Sequence, residues 1–343
     1  EVILQDPEIS IVCETMGGNE PAYTFSKRAL EAGKSVCTSN KELVANHGAE
    51  LLRLARENRC NYFFKASVGG GIPIIRPINN CLTAERIVEV SGILNGTTNY
   101  ILTKMEQEGM LFEEALGQAQ ALGYAERNPE ADVEGYDACR KIAILTSLVA
   151  GKTVDFHKIH TEGITGIDPT DFAYAKKLDA TIKLLAVSRE TEDGYQISVA
   201  PYLLKKENAL AGVNDVFNAV AVCGNTLGDT MFYGRGAGKL PTASAVVADV
   251  VECARHLQKT VGCLWEEGEA KVADFDSQEG RFFVRVSKKA RTDVEKVFGD
   301  VVPVVLDSAL EEFAFVTESM QEAEFEKCRE QIFGFVKKIR IKD

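Results

Sequence analysis

Asp137 and Lys141 stand four residues apart at the start of an apolar run over 138–150, and on a helix that spacing puts both on one face. A carboxylate beside a lysine keeps the ammonium charged and fixes its position. Taken alone, such a pair is a surface ion pair worth under about 1 kcal/mol. Here it follows a segment, Gly123 to Gly135, that crowds Glu126, Glu130, Asp132 and Glu134 ahead of a buried helix. That is more charge than a packing interface holds without pairing, so the pair reads as chemistry: a positioned lysine for proton transfer. A second lysine, Lys41, follows Thr38-Ser39-Asn40 at the end of a predicted strand. A cation at a helix start opposes the helix dipole, and such a local conflict points to function. Glu126, just past Gly123-Tyr124, is a candidate ligand for a substrate ammonium. The segment Asn95-Gly96-Thr97-Thr98-Asn99 offers a helix start that could receive a carboxylate or simply cap its helix through Asn95 or Thr97.

The elements that must position these residues begin with strand Ile9–Glu14, helix Pro21–Ala32, strand Ser35–Ser39 and helix Asn40–Asn58. This alternation implies a parallel sheet with a ligand crevice at the strands' C-terminal ends. A G-x-G-x-x-G turn is absent: neither Gly69-Gly70-Gly71 nor Gly234-Arg235-Gly236-Ala237-Gly238 completes it. The expectation is that the first βαβ half, roughly 60–70 residues, is not represented in the sequence. From 61 to 233 the pattern predicts an α+β domain with a mostly antiparallel sheet: strand Arg86–Ile93, helix Thr97–Glu108, helix Ala138–Ala150, helix Ala173–Ala186, a strand over 195–203, and strand candidates at Leu203-Leu204 and Val216–Val222. The Gly-rich stretch 233–238 and a helix of small residues up to Asp249 return the chain to the first domain. Residues 262–280 read as a linker. The last 63 positions order six short elements as βαββαβ: Phe282–Val286, Val294–Phe298, Val301–Leu306, Glu312–Val316, Ala323–Phe333 and Phe335–Ile341.

Composition narrows the class. With 39 basic against 51 acidic residues the net charge is −12, which lacks the basic footprint of a nucleic-acid partner. No apolar stretch reaches the length of a membrane span. Nine cysteines form no C-x-x-C pair and several lie in apolar runs, so they read as reduced thiols of a cytoplasmic protein. His157 and His160 have the spacing of a ligand pair, but no carboxylate or cysteine joins them at ligand distance in sequence, and the segment reads as a solvated turn.

The blocks Glu14–Gly18 followed by Pro21-Ala22, Thr38–Lys41, Ser67–Pro73, Gly92–Tyr100, Gly123–Lys141 and Gly234–Asp249 together resemble homoserine dehydrogenase over residues 8–255. The resemblance implies an α/β chain: an incomplete Rossmann-type nucleotide-binding domain (1–60 and 234–261), an α+β catalytic and dimerisation domain (61–233), and a C-terminal ACT-like module (281–343). It implies NAD(P)H-dependent reduction of L-aspartate 4-semialdehyde to L-homoserine, with NAD or NADP as cofactor and a homodimer or higher homo-oligomer as the assembly. By the same resemblance Lys141, Lys41 and Asp137 are catalytic, with Lys141 the acid/base. Glu126, Thr97, Tyr124 and Asp132 bind substrate. Thr15, Gly17, Ser39, Asn40, Lys41, Gly236, Gly238 and Thr242 face the cofactor.

Three departures from the family pattern carry expectations. Backbone carbonyls of Val68, Gly70 and Ile72 match a monovalent-cation site, but Lys65 stands where the family has Glu, so the ammonium replaces the ion or the site is lost. Asn128 replaces an Asp before Pro129, a turn change of little effect. The loop Ser287-Lys288-Lys289-Ala290 lacks the Asp-x-Pro-Gly turn of ACT modules, which predicts weak or altered amino-acid feedback. The absent glycine fingerprint keeps a second reading open, an amino-acid-binding remnant without dehydrogenase activity. A related semialdehyde or amino-acid dehydrogenase is a third.

Overall fold

A computed structural model describes residues 1–263, 265–299, 301–306 and 311–342. Strands β1 (Ile11–Glu14), β2 (Ser35–Thr38) and β3 (Tyr62–Phe63) form a parallel sheet in that order, connected through α1 (Ala22–Glu31) and α2 (Lys41–Glu57). All four residues of β2 are buried, as a strand covered on both faces requires. The corner between β2 and α2 is locked by side chains. Thr38 Oγ1 donates to Glu14 Oε2 (2.5 Å) and accepts the Asn40 N–H (2.9 Å). Asn40 Oδ1 caps α2 by accepting the Leu43 N–H (3.1 Å), and its amide donates to the Gly18 carbonyl (2.7 Å). The ends of β1 and β2 are thereby tied together, and Lys41 is delivered as the first residue of α2.

The middle of the chain adds β4 (Ile87–Ile93), α3 (Gly96–Glu108), α4 (Phe112–Ala121), α5 (Tyr136–Ala150), α6 (Pro169–Lys177), β5 (Ala180–Thr191), β6 (Gly194–Lys205), β7 (Phe217–Gly224) and β8 (Gly228–Arg235). The strands pair antiparallel in the order β8-β7-β4-β5-β6. Helix α7 (Lys239–Arg255) then returns to the parallel sheet, where Cys253 Sγ lies 3.6 Å from Cys37 Sγ of β2. Just past its end, the His256 and Lys259 carbonyls accept from the Asn61 amide.

The C-terminal elements are β9 (Glu279–Ser287), α8 (Arg291–Phe298), β10 (Val302–Val304), β11 (Glu312–Val316), α9 (Glu322–Arg329) and β12 (Phe335–Lys342). Their strands pair as β12-β9-β11-β10, that is fourth-first-third-second. Phe282, Phe315 and Phe325 fill the space between this sheet and its helices. Strand β12 also pairs in parallel with β6, Arg340 opposite Tyr202 and Ile341 opposite Leu203. One sheet therefore runs through both modules.

Two expectations are corrected. The helix predicted over 173–186 ends at Lys177; the chain turns at Asp179 (φ 50°) and enters β5 at Ala180. Residues 180–188 are buried without interruption, and a strand covered on both faces shows no alternation to separate it from a helix. The segment 262–280 is not a free linker. Trp265 is fully buried against Gly48 of α2 and donates to Thr153 Oγ1 (3.0 Å), and Glu266–Glu269 pairs with Lys152–Thr153. Leu203-Leu204 belongs to β6, and β8 had no sequence expectation. His160 stacks on Phe275 and lies 2.6 Å from Glu162. Among the described residues no group of three or more His, Cys, Asp or Glu could hold a metal ion.

Candidate active site

Three helix starts converge on one cavity of about 510 Å³: Lys41 of α2, Gly96 and Thr97 of α3, and Asp137 of α5. Helix N-termini favour negative charge, so the cavity suits carboxylates and a developing alkoxide. Asn95 caps α3 through Oδ1, which accepts the Thr98 N–H at 2.9 Å. Gly135, before α5, has φ 83°, and a Cβ there would crowd Thr161 and Val199 at 3.1 and 3.2 Å. Glycine at this corner lets the acidic segment turn sharply into the helix and sets Asp137 in its first turn.

Asp137 is the hub. Its buried carboxylate accepts from Lys141 Nζ (2.5 Å), from Lys41 Nζ (2.9 Å) and from the Asn95 amide (2.9 Å). Lys141 also donates to the Leu94 carbonyl at 2.8 Å, so its ammonium is held from two sides. The Asn95 amide reaches Asp132 Oδ1 as well (2.7 Å), linking a second carboxylate to the cluster. Burial pushes the Asp137 carboxyl up, but the charges and hydrogen bonds of Lys141 and Lys41 more than offset it and hold it well below the usual carboxylate range. Burial pulls Lys41 down, yet the Asp137 and Asp132 carboxylates raise it overall. Asp132 shifts upward, from burial first and the nearby Asp137 charge, against the Asn95 hydrogen bond. Two ammonium groups thus share one firmly ionised carboxylate, which holds two positive charges side by side at the cavity wall. That is the electrostatics that stabilises an oxyanion.

Around this hub the structure brings together most of the predicted residues. Thr97 Oγ1 donates to the Tyr124 carbonyl (2.7 Å), fixing the Gly123–Glu126 turn over the start of α3. The Glu126 carboxylate lines the cavity without a hydrogen-bond or ion-pair partner among the described residues. Ser39, Gly70, Gly236, Gly238 and Thr242 also line the cavity. The loop after Lys65 is held by Asp249 of α7, which accepts the Lys65 N–H (2.8 Å) and pairs with Arg76 (3.3 Å). Gly70 then meets Gly236 so closely that a Cβ on Gly70 would stand 2.5 Å from the Gly236 carbonyl oxygen.

Other predicted residues lie elsewhere. Thr15 lines a separate cavity of about 350 Å³ with Val12, Cys13 and Met16. Gly17 does not line the main cavity, and Asn40 serves the β2–α2 corner described above. Val68 and Ile72 are buried, and the Ile72 carbonyl already accepts the Ile74 N–H (2.9 Å). Lys65 lines a small cleft with Arg76, Asp249 and Glu252, away from Gly70. The sequence reading missed the Asn95 side chain as the bridge between Asp132 and Asp137, because an asparagine before a helix already has a sufficient role as a cap. It also missed Asn218 and Arg235, which line the cavity from β7 and β8.

The sequence model described as "Homoserine dehydrogenase" matches residues 73–251, and the one described as "Homoserine dehydrogenase, NAD binding domain" matches residues 1–65. The homoserine dehydrogenase of Bacillus subtilis is 38% identical over 342 residues, covering 94% of this chain and 78% of its own length. The chain belongs to the homoserine dehydrogenase family. It is therefore an NAD(P)-dependent oxidoreductase by family, with a Rossmann-like NAD-binding domain in a mixed α/β fold. The crystal structure of a homoserine dehydrogenase from Thiobacillus denitrificans superposes with a TM-score of 0.91 at 34% identity, over 99% of this chain and 84% of that one. A hyperthermophilic archaeal homoserine dehydrogenase in complex with NADPH is similar over 74% of each chain, with a TM-score of 0.65 and 32% identity. The alignment to the Synechocystis homoserine dehydrogenase spans 59% of that relative's length. No helix among the described residues is long and apolar enough to cross a membrane.

Proposed function

We propose that this chain interconverts L-aspartate 4-semialdehyde and L-homoserine, and that Lys141, Lys41 and Asp137 carry the proton chemistry. The observation that supports it most is the pair of ammonium groups on one buried carboxylate, at the wall of a cavity that Gly236, Gly238 and Thr242 also line. The crevice lies past the C-terminal end of β2, on the side of the sheet where this fold receives a dinucleotide cofactor. Gly238 is exposed at the edge of this cavity and carries no side chain that would exclude a flat ring. When bound, NADH or NADPH supplies hydride to the aldehyde carbon.

The chain's own residues do the rest. As hydride arrives, negative charge develops on the aldehyde oxygen. The Lys141 ammonium donates its proton there, and Lys41 adds a second positive charge. In the reverse direction Lys141 takes the hydroxyl proton of homoserine. Asp137 holds both lysines in place. Glu126 receives the substrate ammonium, with Asp132 behind it, and the start of α3 at Gly96-Thr97 receives the substrate carboxylate. This reading outweighs the amino-acid-binding remnant because every group needed for proton transfer faces one cavity.

The cation carbonyls are not used in this scheme; Lys65, where the family has Glu, lines another cleft. The β12-β9-β11-β10 order supports an ACT-like C-terminal module, beyond a catalytic domain over 61–233 and a nucleotide-binding domain over 1–60 and 234–261. A cytoplasmic homodimer serving threonine and methionine biosynthesis completes the proposal; exposed Met231 and Tyr233 on β8 suit a subunit contact.

The test is turnover of L-homoserine against 4-hydroxybutyrate, which keeps the alcohol and carboxylate but lacks the ammonium. NAD(P)⁺ reduction should proceed with homoserine and fall by about 10² or more in kcat/KM with 4-hydroxybutyrate. Equal turnover would contradict the role of Glu126 and the amino-acid substrate.

A further inference from the structure

Asn218, the second residue of β7, lines the same cavity and is only 1% exposed, yet among the described residues neither its amide nitrogen nor its amide oxygen has a hydrogen-bond partner. Buried polar groups in folded proteins are nearly always paired, and each exception calls for an explanation. An apolar residue of the same size would avoid the cost of desolvating both atoms. The surroundings show where a partner would come from. On one side is Gly96, at the start of α3, where a Cβ would stand 3.2 Å from Asn218 Oδ1. On the other is Gly236, where a Cβ would stand 2.0 Å from Asn218 Nδ2. The side chain is therefore wedged between the substrate side of the cavity and the Gly236–Gly238 loop, and glycine on both sides leaves it room.

The chemistry of the vacant bonds selects the partner. Asn218 offers a donor and an acceptor side by side. A carboxylate only accepts and an ammonium only donates, so either would leave one atom of Asn218 unpaired. A primary carboxamide satisfies both. Among the reactants of the proposed reaction, the nicotinamide ring carries that group. We propose that Asn218 is a cofactor-binding residue that pairs through both amide atoms with the nicotinamide carboxamide and so fixes the rotation of the ring. This rests on the dehydrogenase reading above. The Gly236 backbone covers the amide in this structure, so the Gly236–Gly238 loop must move aside when the dinucleotide binds.

The experiment is calorimetric binding of NADP⁺ and of its 3-acetylpyridine analogue, in which a methyl group replaces the carboxamide NH₂. Wild type, Asn218→Leu and Asn218→Ser are compared, with thermal unfolding of each cofactor-free protein. Wild type should prefer NADP⁺ over the analogue by about tenfold, the worth of one neutral hydrogen bond at a buried site. Asn218→Leu should bind both alike and should melt no lower than wild type, because it removes two unpaired polar atoms. Asn218→Ser, smaller and polar, should also lose the preference. The same preference in wild type and variants would overturn the assignment and leave Asn218 satisfied by water. A loss that appears in the KM for homoserine, with cofactor discrimination intact, would overturn it in favour of a substrate contact. Failure of wild type to bind NADP⁺, its analogue and NAD⁺ alike would overturn the cofactor reading itself.

Discussion

Lys41 was legible because a helix dipole opposes its charge, Asp137 and Lys141 because they form a pair ahead of an apolar helix, and Glu126 only as part of the acidic block from Gly123 to Gly135. The structure supplies the physical reason: the misplaced cation of α2 is compensated by a carboxylate from α5. Asn95 and Asn218 were not legible, because an asparagine before a helix or inside a strand has an ordinary reading and its unpaired or bridging atoms appear only in three dimensions. Lys183 is a further residue of this kind. It is fully buried on β5, donates to the Val213 carbonyl (2.7 Å) and to Asn214 Oδ1 (3.0 Å), and so anchors the segment leading to Asn218. Burial pulls its ammonium down to about 8, against the opposing charges of Glu106 and Asp215. A lysine lowered in the folded state binds fewer protons there than in the unfolded chain between pH 8 and 10.5, so its contribution to stability rises with pH across that window. Denaturant titrations of wild type and Lys183→Met should differ in slope, with the wild type gaining on the order of 1–3 kcal/mol relative to the variant from pH 7.5 to 10. Parallel curves would show that Lys183 does not titrate there.

At the scale of elements, the helices and strands of the parallel sheet were readable from cap residues and apolar runs. Helix α2 is bounded by Asn40 and Asn58 as the sequence implies. One misread segment was 178–186, where burial on both faces erased the alternation that marks a strand; the other was 262–280, where Trp265 docks the supposed linker. Loop contacts carry no such periodicity, and the meeting of Gly70 with Gly236 was invisible in sequence. That contact fixes the Gly236–Gly238 loop against the Gly69–Gly71 turn at the edge of the cavity. In Gly70→Ala the new Cβ would stand 2.5 Å from a backbone oxygen, at a residue with φ 52°, so the Gly236–Gly238 loop must move. A displacement near 1 Å at a reacting centre costs about 10² in rate. Gly70→Ala should therefore lose about that factor in kcat/KM for the cofactor while keeping most of its helical signal by circular dichroism. Full activity would show that the two loops do not need this contact.

Across the whole molecule, the order of the last six elements was readable, but their docking was not, since pairing of β12 with β6 leaves no mark in either strand. The junction is held by charges. Asp171, with no exposure, accepts from Arg285 (2.5 Å) and Lys337 (2.6 Å), and Asp168 joins them. Neutralising Asp171 leaves Arg285 with Glu312 and Asp168 and Lys337 with Asp168, so the cost is that of the lost charged hydrogen bonds, about 1–3 kcal/mol. Asp171→Asn should lower the unfolding midpoint accordingly, and an unchanged midpoint would mean that the C-terminal module is held by strand pairing alone. The central claim is that the Lys141–Asp137–Lys41 cluster performs the proton transfer of a homoserine dehydrogenase. Its most direct test is homoserine-dependent reduction of NAD⁺ and NADP⁺ by the wild type beside Lys141→Ala. The account predicts turnover in the wild type with at least one cofactor and a loss of about 10²–10⁴ in kcat on substitution; wild-type turnover that survives Lys141→Ala would contradict it.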